Sequence, residues 1–128
     1  MPYSITHIIG MALVELTFAG PITGADLKES TAECIALQKE RGVTRFLIDG
    51  DDWEVVAPLV DVLDLPDKHY WDERVLKQTR IAVVLPVSKR SREAVRFYET
   101  ACKNRGWNAQ LHPNRQTAID WLTDSGKA

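Results

Sequence analysis

Arg80-Ile81-Ala82-Val83-Val84-Leu85, closed by Pro86 and followed by Ser88-Lys89-Arg90-Ser91-Arg92, decides how the rest of the chain reads. An unbroken apolar run rich in β-branched side chains and stopped by proline is a strand covered on both faces, the kind found inside a parallel sheet. Parallel neighbours need crossover connections, and the sequence on either side supplies them. Downstream, Ser88 caps a helix in which Ala94, Val95, Tyr98, Ala101 and Cys102 recur at helical spacing until Gly106. A last strand, residues 107–112, follows, and Asn114 caps a final helix carrying Ala118, Ile119 and Leu122.

Upstream, Arg45-Phe46-Leu47-Ile48-Asp49 is a second short apolar strand. The helix before it opens at Thr23, with Asp26 completing a capping box, and closes at Gly42, which accepts a left-handed conformation without penalty. Its inward stripe is Leu27, Ser30 or Thr31, Cys34, and Leu37 or Gln38. Residues 4–9 and 12–18 make a hairpin turned at Gly10-Met11, and Gly20-Pro21 ends its second strand. Between residues 50 and 78 the pattern predicts one helix over 53–63, with Pro58 in its first turn, a stop at Pro66 and a second short helix over 67–77. The plan is β-β-α-β-α-β-α-β-α: one α/β domain over 1–128, with a mixed, mostly parallel sheet and right-handed crossovers.

A chain of 128 residues, 45% hydrophobic and 27% charged, fits one ordinary globular core. Sixteen basic against eighteen acidic side chains, a net charge of -2, argue against general nucleic-acid binding. No apolar run is long enough for a transmembrane helix, and Met1-Pro2-Tyr3-Ser4 lacks the features of a signal peptide. Cys34 and Cys102 both fall in helical patterns, which points to buried thiols in a reducing, cytoplasmic setting.

The element order, the strand Arg80–Leu85, the helix ending Asn104-Arg105-Gly106-Trp107 and the closing Thr117-Ala118-Ile119-Asp120-Trp121-Leu122 resemble the SpoIIAA-like branch of the STAS domains over nearly the whole chain. The resemblance implies a helix-packed sheet and a non-enzymatic role, either regulation through a protein partner or binding of a small apolar or anionic ligand. Anti-sigma-antagonist members carry a phosphorylatable Ser after the central strand. Here that stretch reads Ile48-Asp49-Gly50-Asp51-Asp52-Trp53, without Ser or Thr, so the phospho-switch does not carry over.

The candidate ligand-binding residues are Asp49, Asp51, Trp53, Tyr70, Trp71, Ser88, Lys89 and Arg90. Carboxylates past a strand's carboxyl end lie where open α/β sheets bind ligands, and with Asp52 they could hold Mg²⁺ or cap a following helix. Ser88, Lys89 and Arg90 supply hydroxyl, cations and a helix start for an anion, without the glycines of a P-loop. The aromatics could line a pocket or serve as core. His7, His69 and His112 are too scattered for a metal site, no catalytic triad is legible and no cofactor is implied. The alternative is a small enzyme acting on a phosphorylated substrate with Asp49 or Asp51 and Lys89 or Arg90. A third expectation is a homodimer through the hairpin edge.

Overall fold

Both strands on either side of the first crossover run further than their sequences suggest. The computed structural model describes residues 2–124, and Asp51 by its backbone alone. Strands β1 (Tyr3–Ile8) and β2 (Leu13–Ile22) pair antiparallel, with Tyr3 opposite Phe18 and Ile8 opposite Leu13. A 3-10 turn over Ile9–Met11 joins them, and Ala12 leaves it in the left-handed region at φ 54°. Gly20-Pro21 does not end β2. The strand continues beside β3 (Arg45–Val55), which likewise continues past Asp49.

A β-bulge makes this continuation possible. Ala19 lies opposite Asp51, but Pro21 lies opposite Glu54, so β3 contains one extra residue. Asp52 absorbs it at φ 44°. Because side chains alternate along a strand, one extra residue reverses which face the following ones occupy. Ile48 and then, beyond the bulge, Trp53 and Val55 all belong to the same core. The helix expected from residue 53 is therefore a strand for its first three residues, buried at Trp53 and Val55 and exposed at Glu54. Helix α2 (Leu59–Asp64) starts only after its N-cap, Pro58.

Pro66 does not stop the helical segment either. The chain passes from α2 through a π-turn (Leu65–His69) directly into α3 (Tyr70–Asp72). A proline inside a helix has no N–H for the carbonyl one turn back and its ring crowds that carbonyl. Widening the turn is one way the backbone accommodates such a defect. Tyr70 N–H accordingly reaches back five residues to the Leu65 carbonyl.

The other elements follow the sequence closely. Helix α1 (Gly24–Arg41) has the reciprocal capping box between Thr23 and Asp26, and Gly42 closes it at φ 70°. Strand β4 (Arg80–Val84) precedes α4 (Lys89–Asn104), β5 (Asn108–His112) and α5 (Arg115–Thr123). The strands lie in the order β1-β2-β3-β4-β5, with every pair after the hairpin parallel.

Crossovers of one hand that always step the same way place their helices on one face. Leu27 of α1, Val62 of α2, Tyr70 of α3 and Val95, Tyr98 and Cys102 of α4 share a core with Leu16, Phe18, Ile81 and Val83 of the sheet. Helix α5 alone supplies the opposite core, where Ala118, Ile119 and Leu122 cover Leu13, Leu47, Ala82 and Val84.

Candidate functional site

The eight residues singled out in the sequence divide between several places. Asp49 belongs to the α5 side of the sheet, where its carboxylate lies 3.8 Å from Arg115. Arg115 also holds Glu15 through two bonds of 2.9 and 3.0 Å. The Asp51 side chain lies outside the described residues. Ser88 accepts the Ser91 N–H as the N-cap of α4, and Ser91, fully buried, accepts the Val55 N–H at 2.9 Å. These hydroxyls tie the end of β3 to α4. Lys89 and Arg90 are exposed in the first turn of that helix, which packs on the face opposite α5. No described contact joins them to Asp49, and no helix directly follows the acidic stretch for it to cap.

Trp53 and Tyr70 line one space between the sheet and its main helical layer. Two adjoining cavities lie there. One, of about 50 Å³, is lined by Cys34 and Ile35 of α1, Ile48 and Ile81 of the sheet, and Tyr70 and Val75. The other, of about 60 Å³, lies among Phe18, Leu27, Trp53, Val62, Leu65 and Tyr98. Leu16, Thr31, Ile48 and Tyr70 line both. Neither is lined by an Asp, Glu, Lys, Arg or His side chain. The inward stripe of α1 marked Cys34 and left Ser30 or Thr31 open, but nothing in the pattern marked the space in front of them.

The walls are specified in detail. Trp53 stacks on Phe18 with ring centroids 5.3 Å apart. Tyr70 and Tyr98 share a hydrogen bond of 2.6 Å between their hydroxyls. Burial pushes both phenols well above their ordinary range, so they stay neutral. Burial also raises the thiols of Cys34 and Cys102, each to about 12, which keeps them protonated and unreactive. Gln38, buried in α1, donates to the Val43 carbonyl and the Thr79 hydroxyl and accepts the Leu76 N–H. It joins α1 to the connections that lead into β3 and β4.

The α2–π–α3 segment that covers the second cavity is fastened at its middle. The Trp107 indole donates to the Pro66 carbonyl at 3.0 Å, and Arg105 pairs with Asp67 at 3.0 Å. Lys77 sits 3.9 Å above the Trp71 ring and 4.0 Å above Trp107, and donates to the Arg105 carbonyl. Trp71, half exposed, thus belongs to this fastening and not to the cavity wall. The outer side of the same segment leaves Leu59 and Val60 exposed, as is Val56 just before it.

Among the described residues no group of three or more His, Cys, Asp or Glu side chains is placed to hold a metal ion. Among the described residues no helix is long and apolar enough to cross a membrane. Compared with family models, with curated proteins and with solved structures, the chain finds no match in any of the three.

Proposed function

We propose that the protein is a non-enzymatic ligand-binding module of the SpoIIAA-like kind, holding a small apolar molecule between the sheet and its α1–α3 cover. The observation that carries this reading is the pair of adjoining cavities meeting at Leu16, Thr31, Ile48 and Tyr70. Protein interiors are packed like organic crystals, and apolar voids cost stability unless something fills them. Two small apolar hollows beside one another, next to a helical segment widened by a π-turn, give a compact apolar molecule a place to sit. The uncharged lining favours an apolar occupant over an anionic one, because a buried unpaired charge is expensive.

A regulatory role fits the same element. The segment that covers the second cavity with Val62 and Leu65 turns Leu59 and Val60 outward. An occupant that shifts this segment alters an exposed apolar surface of the kind protein partners recognise.

Xenon pressurisation of crystals tests the reading directly. Xenon density is expected between Ile48, Thr31 and Tyr70. Crystals with no xenon there, together with a melting temperature unmoved by saturating toluene, would overturn it.

A further inference from the structure

We infer that the occupant of the paired cavities is a small neutral molecule with an apolar body and one hydroxyl or carbonyl, anchored by Thr31 and Tyr70. The inference rests on the ligand-binding reading above and specifies its chemistry. Thr31 and Tyr70 are the only polar residues that line both cavities. A single polar atom at their junction can be reached from either side.

Both hydroxyls have capacity to spare. Among the described residues the Thr31 side chain makes no hydrogen bond, whereas Gln38 and Thr79, the other polar lining residues of the first cavity, are bonded to one another. Tyr70 shares its bond with Tyr98, and either hydroxyl can be the donor. When Tyr98 donates to Tyr70, the Tyr70 O–H is free to donate to an occupant. When Tyr70 donates to Tyr98, it can offer its remaining lone pair. The pair therefore suits an alcohol or a carbonyl equally, and needs no change of charge to do so.

The same lining sets the limits. A carboxylate or phosphate would enter without a cation to meet it, against two phenols that burial keeps neutral. Size is limited as well, since each cavity, at about 50 and 60 Å³, is well below the roughly 150 Å³ apolar cavity that admits benzene. An occupant of the size of phenol or toluene therefore bridges both cavities and also pushes the α2–π–α3 cover outward.

Phenol and toluene, of nearly identical shape, separate the anchor from the apolar site. The full-length protein is titrated with each, and with benzoate, followed by amide chemical shifts. Phenol and toluene are both expected to bind, and benzoate to cause no saturable shift. In Thr31→Val and Tyr70→Phe, phenol affinity is expected to fall about fivefold relative to toluene, the worth of one hydrogen bond. A phenol-to-toluene ratio unchanged in both variants refutes the anchors and leaves the apolar site standing. Benzoate binding as tightly as phenol refutes the neutral-ligand inference in the same way. Binding of neither phenol nor toluene refutes the site itself.

Discussion

Gly50 is glycine for a reason of space. A Cβ there would stand 2.2 Å from the Phe18 carbonyl oxygen and 2.8 Å from Cδ1 of Trp53, whose ring closes over the strand at this point. Gly50→Ala must push apart either β2 and β3 or the Phe18–Trp53 stack, and is expected to cost about 2–3 kcal/mol in urea denaturation. A loss under 0.5 kcal/mol would show that the bulge relaxes freely. A second residue governs the response to acid. His112 is buried beside Trp121, and its Nε2 has no hydrogen-bond partner. Burial lowers its pKa from the ordinary 6.5, partly opposed by Glu99. As pH falls below about 6.5 the unfolded chain takes up a proton that the folded one still refuses, so folding is progressively penalised until the folded-state pKa is passed. The melting temperature is expected to drop between pH 7.5 and 5.5, and His112→Phe to remove part of that drop. Equal drops in both proteins would rule His112 out as a cause. His112 ends the predicted last strand, but its isolation depends on where α5 lands, which its neighbours in the chain do not determine.

At the scale of elements, what could be read and what could not have distinct physical causes. Helix α1 was legible because its signals are local: the Thr23–Asp26 box and the Gly42 terminus act within one turn. The extension of β3 was hidden because Asp49-Gly50-Asp51-Asp52 has the composition of a turn, and only pairing with β2 keeps it extended. The bulge concealed the rest, since Trp53 and Val55 face the helices out of phase with Ile48. Pro66 misled for a related reason. A stop was the local expectation, but the buried Leu65 and Tyr70 on either side hold the segment helical across it. The wider turn should be a weak point. Amides at 67–70 are expected to exchange faster than those of mid-α1, and Pro66→Ala, which restores a donor, to slow them about fivefold. Unchanged exchange in the variant would assign the π-turn to packing by Trp107 instead. Of the candidate site, Trp53 and Tyr70 were legible as aromatics in the irregular middle. The cavity was not, because a void is a mismatch of shapes and leaves no periodic trace.

For the whole molecule, the unequal covering of the sheet is the main fact. Four helices share one face, whereas α5 alone seals Leu13, Leu47, Ala82 and Val84 on the other. Burying Ile119 and Leu122 alone is worth roughly 2 kcal/mol each, against a typical domain stability of about 5–15 kcal/mol. A chain ending at residue 113 is expected to bind the dye ANS and lose its sharp thermal transition, while keeping much of its far-ultraviolet signal. A cooperative, dye-free truncation would mean that the second face needs no cover. The two sheet edges also differ. The Leu111 N–H on β5 is taken by Glu99 at 2.9 Å, a side-chain plug on one edge, so sheet-to-sheet pairing of two copies would favour β1. The sequential strand order has a last consequence. Each strand is laid beside the one made just before it, so a nascent chain emerging from the ribosome could add them one at a time without waiting for a distant partner. Only the face sealed by α5 must wait until after the last strand is made, and until then Leu13, Leu47, Ala82 and Val84 stay uncovered.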